Sequence, residues 1–577
     1  MYLNELPEAH FSPAALDIET TGLDLSTSRI LSLAISDGRN TCVLTEDFGR
    51  IIPILEDESV LKIFHNALFD LSFIMKSYPC NPVKIWDTML ADEVLYAGYQ
   101  VGHALDEVLA ARLGVLIDKE VRKTFIDHEG PLTEEQLHYI EEDVKYLIPL
   151  YENQKQEASV KGLGKVIGLE NRCLLSVIDM YLTGVGFDTA QWEIVKEEIR
   201  QLLINLEEQI IDEDLGEDFA VDVPSIKDGQ PYLKEVEARD INFRSVKQHK
   251  AILNKLGIKV HSTKRDILEK YIDRHPFVEH LIEHRSYAKI MDWHWQDFLD
   301  SSGRLHPDYN QIGTVTGRPS CAKPNVFQIP RPRPDRPNLR ILFLPMEGHL
   351  LIDCDYSQQE PRILAHLSQD PAMVKAANEE DIYIAFAKAI WHEDIDRKDP
   401  RRQLIKTFVL ATSYGSQAKG LSTKLRMSLE DTQRFMNEWI DTFPVAYRWG
   451  NAQIGNVVQK GYTVTAYGRR AYFPTIQYFG QDDLWRFAND ARNYPIQGTG
   501  ADMLKLAQVL IYDRIRQQKL DAHFMITPYD ELVLTARKDQ AEETFELVKS
   551  SMEEAGHTIC PSVAWVVEGS VGEVWEH

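Results

Sequence analysis

The chain has 577 residues, 44% of them hydrophobic, and carries 63 Lys and Arg against 89 Asp and Glu, a formal net charge of −26 at pH 7. The length accommodates about three or four domains. The charge argues against nucleic-acid binding by overall positive potential and leaves only a local basic cleft for phosphate contacts. No apolar run reaches the roughly 18 residues that suggest a membrane span. The N-terminus has Glu5 and Glu8 in place of a basic region followed by an apolar stretch, so no secretory leader is expected. Six scattered cysteines with no Cys-x-x-Cys argue against a zinc cluster and fit a reducing cytoplasm.

Residues 1 to about 155 read as a first unit. Ala15-Leu-Asp-Ile-Glu-Thr-Thr-Gly-Leu-Asp24 predicts a strand ending in turn residues, with Asp17 and Glu19 on one face. Ile30 to Ser36 predicts the next strand. Ile63-Phe-His-Asn-Ala-Leu-Phe-Asp70 predicts the start of a helix, with Asn66 and Asp70 one turn apart. Tyr139-Ile-Glu-Glu-Asp143 repeats that spacing on a later helix. Two-metal phosphodiester hydrolysis needs several carboxylates around two ions about 4 Å apart, and a group that orients the attacking water. This ordered set has that inventory. Asp87, in Trp86-Asp-Thr88, reads as structural or substrate-facing.

Gln154 to Lys165 is predicted as a linker, Glu170 to Asp188 as a helix broken at Gly184-Val-Gly186, and residues 190 to about 300 as mostly helical. Arg304 to Arg340 is rich in Gly, Pro and Arg. Basic residues cluster at Arg331, Arg333, Arg336 and Arg340, and again at Lys398, Arg401, Arg402 and Lys406. Leu351-Ile-Asp-Cys-Asp-Tyr-Ser-Gln-Gln-Glu-Pro-Arg-Ile-Leu-Ala-His366 predicts an apolar strand, an acidic turn and a helix. Asp353 and Asp355 share a strand face, and Pro361 falls where a helix would begin. Asp355 thus ends a strand, where a carboxylate can hold a hard metal ion. Arg402, Lys406, Leu410 and Tyr414 recur every four residues and trace one helix face. Phe524 to Thr527 and Leu532 to Thr535 predict two strands around a tight turn at Pro528-Tyr529-Asp530.

The stretches around Asp355, from Arg401 to Gly415, and from Met525 to Leu534 resemble motifs A, B and C of the family A DNA polymerases, in that order. The first unit resembles the 3′–5′ exonuclease domain of the same family. The resemblance implies an α/β and α+β multidomain chain: a ribonuclease H-like exonuclease domain over 1–155, then a right-hand polymerase domain over 156–577. The thumb would span about 190–300, the palm about 301–375 and 485–577, and the fingers about 376–484. It implies template-directed addition of dNTPs to a primer 3′ end, with proofreading. Magnesium or manganese, two ions per active site, would be held by Asp355 and Asp530 in one centre and by Asp17, Glu19, Asp70 and Asp143 in the other. Tyr139 would orient the exonuclease water, and Glu531 would support the polymerase centre. Arg402 and Lys406 would bind the triphosphate, Tyr414 would stack by the nascent pair, and Glu360 would exclude a ribose 2′-OH. Arg318, Gln497 and Asn493 would contact primer–template DNA.

The chain departs from the family pattern at several points. Leu410 stands where an aromatic residue is usual, Tyr529 where His is usual, and Asn489 where Arg is frequent. Phe327 and Gln328 replace Gln and Asn, and Gln359 and Pro361 replace apolar residues around Glu360. The chain opens on the exonuclease with no 5′-nuclease unit, and no insertion advertises a helicase or processivity-factor site. Compact size and these departures point to a bacteriophage enzyme acting in the bacterial cytoplasm. The competing readings are a 3′–5′ exonuclease with a DNA-binding, non-polymerising C-terminal module, a replication scaffold, and a single-subunit RNA polymerase. Leu410 predicts discrimination against dideoxynucleotides, because the missing ring helps sense the sugar's 3′ position. Sequencing-style extension at low dideoxy-to-deoxy ratios should therefore run through with few terminations, and efficient termination refutes the expectation.

Overall fold

The computed structural model describes residues 2–6, 11–227, 230–334, 336–379, 381–413, 415–478, 480 and 485–575. The N-terminal part is built on six strands: β1 (Tyr2–Leu3), β2 (Ala14–Thr20), β3 (Ile30–Ser36), β4 (Thr41–Leu44), β5 (Lys62–Phe64) and β6 (Ile85–Asp87). Their order in the sheet is β1-β4-β3-β2-β5-β6. β2 runs antiparallel to β3 and parallel to β5. Both faces of the sheet are covered from β2 to β6, so those strands read as largely apolar runs, and only the two-residue edge strand β1 is exposed. Leu16, Ile18, Leu33 and Ile35 pack on one face, and Ala15, Ala34, Val43 and Ile63 on the other.

Helices α1 (Ala67–Ser77) and α2 (Thr88–Leu95) follow β5 and β6. Ile63 and Phe64, expected in a helix, form β5 instead. The helix begins only after Asn66, which caps it in a left-handed conformation at φ 67°. α3 (Glu134–Lys145) starts on a Thr133–Gln136 capping box and lies against β2. α4 (Leu147–Lys161) and α5 (Gly164–Thr183) then run almost without interruption through the predicted linker. Only Gly162, at φ 68°, and Leu163 separate them. The stretch is mixed in composition, but Gln154 and Ala158 are buried and Leu163 and Val166 pack into the first unit's core, which keeps it helical.

α6 (Thr189–Gln209) is followed by a β-hairpin, β7 (Ala220–Lys227) and β8 (Gln230–Glu237), where helix was expected. Val221, Val223 and Val236 are its buried face, and α7 (Val246–Lys255) packs against it. α8 (Pro276–Met291) completes this region. β9 (His349–Tyr356) and α9 (Gln359–Ser368) form the strand–turn–helix expected from Leu351 to His366. α10 (Ile382–Trp391), α11 (Pro400–Ser413) and α12 (Pro444–Lys460) precede the 34-residue α13 (Trp485–Gln518). Then come β10 (Ala522–Ile526), β11 (Glu531–Arg537), α14 (Ala541–Ile559) and β12 (Val567–Gly572). The second sheet has the order β10-β11-β9-β12, antiparallel throughout.

A fully buried ion network ties these parts together. Glu170 of α5 accepts from Lys505 Nζ of α13 at 2.7 and 2.8 Å and pairs with Arg469. Arg469 also donates from Nε to Asp502 of α13 at 2.8 Å, and Asp502 accepts from Thr465 at 2.6 Å. Gln311 donates to the Glu170 carboxylate at 2.6 Å. Two cations face two carboxylates, so the charges cancel in a site without water screening. Removing one member leaves an unpaired buried charge, which costs about 3–5 kcal/mol. Arg469→Ala should lower the unfolding free energy by about that amount, read from urea or thermal melts. A loss below 1 kcal/mol would show that the network contributes little.

Candidate active sites

On β2, residues 15, 17 and 19 share the face that α3 covers, so Asp17 and Glu19 point at the helix that carries Tyr139 and Asp143. Ligand oxygens of Asp17, Glu19 and Asp143 all lie within 4.8 Å of one another. Asp70 stands just outside this group and accepts from the Ile18 N–H at 3.0 Å. Burial and the neighbouring carboxylates push Asp17 up to about 8 and Glu19 to about 9, and burial pushes Asp143 to about 6. Asp70 is raised by burial and by Asp17. The Tyr139 hydroxyl draws Asp143 down, against its burial. An all-oxygen cluster held at this cost suits hard divalent cations.

Lys119 and Arg122, which the sequence does not flag, lie near this cluster and lower all three carboxyls. Their short helix, Glu120–Phe125, is tied to α3 by Gln136 Nε2 donating to the Thr124 carbonyl at 3.2 Å. Asp87 is structural: its carboxylate accepts from the N–H groups of Asn66, Ala67 and Met89 at 3.1, 2.7 and 2.8 Å and fixes the starts of α1 and α2.

The second acidic site lies at one end of the second sheet. Asp355 pairs in register with Glu531, and the Tyr356 N–H donates to the Asp530 carbonyl at 3.3 Å. Asp355 and Asp530 therefore meet where β9 ends and the turn into β11 begins. The turn is set by Tyr529 at φ 61°. Burial, and then Asp530, push the Asp355 carboxyl up to about 7, against the pull of Arg331 at 2.7 Å. Asp355 Oδ1 is buried with no hydrogen-bond partner among the described residues. Burial raises Asp530 too. Two raised carboxyls and an orphaned oxygen fit a divalent cation here as well.

Glu531 does not share that openness. Its oxygens accept from Arg340 at 2.7 and 3.2 Å and from Trp575 Nε1, so it braces the start of β11. Arg340, expected in a surface basic cluster, is buried by that pairing and packs 3.8 Å from the Trp575 ring centroid. Its neighbours do form a basic cleft. Arg331, Arg333 and Arg336 face Arg265, Arg285 and Lys289 across about 820 Å³. Lys289 and Arg285 belong to α8.

On α11, Arg402 pairs with Asp381 at 2.7 Å and Lys406 is exposed. The Leu410 side chain and all of Tyr414 lie outside the described residues. Glu360, in the first turn of α9, pairs with Arg318 at 3.1 Å. Asn493 and Gln497 lie one turn apart on α13, and Asn493 Oδ1 is buried without a hydrogen-bond partner among the described residues.

A family model described as DNA polymerase family A matches residues 214–577, and one described as 3′-5′ exonuclease matches residues 2–158. The chain belongs to DNA polymerase family A. It is similar to DNA polymerase I of Aquifex aeolicus (strain VF5), 29% identical over 594 residues, with 97% of this chain and 95% of that one covered. It is also similar to DNA polymerase I of Caldicellulosiruptor bescii, 30% identical over 69% of this chain and 46% of that one. The thermostable DNA polymerase I of Thermus aquaticus is 34% identical over 54% of this chain and 38% of that one. The chain thus spans under half the length of the last two relatives. Its fold matches the polymerase domain of Pol1 from M. smegmatis, solved with DNA primer-template and dNTP, at a TM-score of 0.80 and 23% identity, covering 98% of this chain and 95% of that one. The mixed α/β architecture, an exonuclease unit followed by a polymerase unit, is that of family A, and family A centres depend on divalent metal.

The raised carboxyls set a pH dependence. A carboxyl whose folded pKa lies above its unfolded value binds more protons when folded, so stability is lost as pH rises from about 4 through the folded value. In the metal-free protein, Asp143, Asp17 and Glu19 should make melting temperature fall between about pH 5 and 9. The stabilisation gained on adding magnesium should grow over the same range. A metal-induced shift that is flat or shrinking with pH overturns this reading of the cluster.

Proposed function

We propose that the chain is a template-directed DNA polymerase with a 3′–5′ proofreading exonuclease. The observation that carries this is the meeting of Asp355 and Asp530 at the β9–β11 end, beside a basic cleft, with a second carboxylate cluster on β2 and α3. The all-oxygen donors favour magnesium, with manganese as a substitute. Asp355 and Asp530 would hold the ions of the polymerase centre, and Asp17, Glu19, Asp143 and Asp70 those of the exonuclease. When bound, such ions lower the pKa of the attacking oxygen and stabilise charge on the phosphorus.

The chain's own residues supply the rest. Tyr139, beside Asp143, positions the exonuclease water, with Arg122 and Lys119 adding positive charge where the phosphate sits. Glu531 acts through the turn: pinned by Arg340 and Trp575, it keeps Asp530 next to Asp355. Arg402 and Lys406 meet the triphosphate with charge-assisted bonds, which requires Arg402 to leave or share Asp381. Leu410 and Tyr414 belong to the same nucleotide-binding face. Arg318, Asn493 and Gln497 contact the primer–template. Glu360 sits under C2′ and disfavours ribonucleotides. The exonuclease domain spans 1–155 and the polymerase domain 156–577, with the thumb at about 190–300, the palm at about 301–375 and 485–577, and the fingers at about 376–484. Its cellular setting is a bacterial cytoplasm, in replication of a phage genome. The short, buried α4–α5 connection and the buried Glu170 network favour a polymerase whose two units hold a fixed relation over a loosely tethered nuclease.

A 5′-labelled primer on a longer template with magnesium tests both centres. With four dNTPs the primer should lengthen, and without them it should shorten. Asp530→Ala should cut extension by about 10³-fold or more, the effect of losing several kcal/mol of charge stabilisation, and leave shortening intact. Asp17→Ala should do the reverse. Shortening in both lanes with the unaltered chain would sink the polymerase reading and leave the nuclease.

A further inference from the structure

The Arg318 guanidinium lies outside both catalytic strands yet reaches residues beside each. Its Nη2 is 3.1 Å from Glu360 Oε1, five residues after Asp355. Its central carbon is 5.7 Å from the ring centroid of Tyr529, the residue before Asp530. Both members of the ion pair are shielded, with side chains 18% and 15% exposed. The Arg318 positive charge also draws the Asp530 carboxyl down.

The surroundings hold this guanidinium in place. The Arg318 N–H donates to Thr314 Oγ1 at 3.1 Å. Gly317 before it has φ 82° and lies so close to Arg469 that a Cβ would meet Nε at 2.7 Å. Arg469 is locked in the buried network, so the loop bearing Arg318 is anchored to the core of the molecule. On the other side, the Tyr529 ring lies 6.4 Å from Phe327, and Phe327 lies 6.0 Å from Tyr309. Phe327 and Tyr529 are two of the chain's departures from its family pattern, and the fold sets them side by side.

A guanidinium offers five donors in a rigid planar fork. The bond to Glu360 occupies one edge and leaves others for an acceptor on a base. We propose that Arg318 is a positioning residue that couples the check on the primer's terminal pair to the check on the incoming sugar. A paired terminus holds the guanidinium on its minor-groove acceptor, and the guanidinium in turn holds Glu360 in the rotamer that excludes a 2′-OH. The Tyr529 face, backed by Phe327, confines the fork to that plane. A mispaired terminus displaces the acceptor, the fork swings, and Glu360 loses the Arg318 contact. Sugar selectivity then depends on whether the last pair was correct. This rests on reading Arg318 as the minor-groove contact and Glu360 as the ribose gate.

The test is the ratio of kcat/KM for a dNTP over the matching rNTP, on matched and mismatched primer ends. All proteins carry Asp17→Ala so that the mismatch is not trimmed. Each ratio is internal to one protein, so a general loss of activity does not move it. The parent ratio should fall on a mismatch by about 5- to 150-fold, the usual range for coupled sites. Arg318→Ala should show the lowered ratio on both ends. Arg318→Lys, which keeps the charge without the fork, should do the same and serves if the alanine variant misfolds. Glu360→Ala should lower the ratio on both ends, and adding Arg318→Ala to it should change nothing further. A lowered ratio in Glu360→Ala with an unchanged one in Arg318→Ala and Arg318→Lys overturns the coupling alone. Losses that multiply in the double variant overturn it as well. An unchanged ratio in Glu360→Ala overturns the gate reading and the coupling together.

Discussion

Holding like charges close together in a poorly screened place is the constraint around which both centres are built. Each carboxylate would sooner be solvated or protonated, and burial with a like neighbour raises its pKa. What opposes the repulsion is backbone geometry. Asp17 and Glu19 share a face because a strand repeats every two residues, and α3 is pressed against that face by Ile140 and Val144. Asp355 and Asp530 meet because β9 and β11 are hydrogen-bonded neighbours, and because Arg340 and Trp575 pin the first residue of β11. In each case apolar packing and ladder hydrogen bonds supply the restraint, and the carboxylates carry the strain.

The same logic separates the carboxylates that can serve a cation from those that cannot. Glu531 and Glu170 are more deeply buried than Asp17 or Asp355, but their oxygens are matched by Arg340, Lys505 and Arg469. Burial raises the Glu170 carboxyl, and those cations pull it back below its usual value. Asp355 is only half matched: Arg331 reaches one oxygen and leaves the other orphaned. A buried acid with spare acceptor capacity is the group with something left to bind.

Much of this was legible in the sequence, and the exceptions are instructive. The two-residue and four-residue periods around Asp17, Glu19, Tyr139, Asp143 and Asp355 found their elements, because local backbone geometry alone sets those relations. The β7–β8 hairpin was missed, since its charged outer face hides the Val221, Val223 and Val236 alternation. The α4–α5 stretch was misread for the opposite reason. Its composition looks like a linker, but long-range contacts of Gln154, Ala158 and Leu163 keep it helical. Pairings between distant residues were invisible. Nothing near Arg340 announces Glu531, and nothing near Arg318 announces Glu360 or Tyr529, because those partners are brought together only by strand order and loop path.

The net charge of −26 then takes on a different meaning. A polyanionic ligand approaching this molecule meets repulsion over most of the surface, felt within about a Debye length, or about 8 Å at physiological salt. Attraction is confined to places such as the cleft where Arg265, Arg285 and Lys289 face Arg331, Arg333 and Arg336. At least four of its cations are already engaged by the protein: Arg331 with Asp355, Lys289 with Gln328 at 2.8 Å, Arg265 with Glu269 at 2.8 Å, and Arg285 with the Thr263 carbonyl. Binding there exchanges intramolecular partners for phosphates instead of adding contacts to bare cations. The gain per contact is smaller, and the cost of a strand in the wrong place is larger. An acidic exterior with a few pre-engaged cations therefore trades raw affinity for register, since only a strand that reaches every cation at once recovers what it displaces.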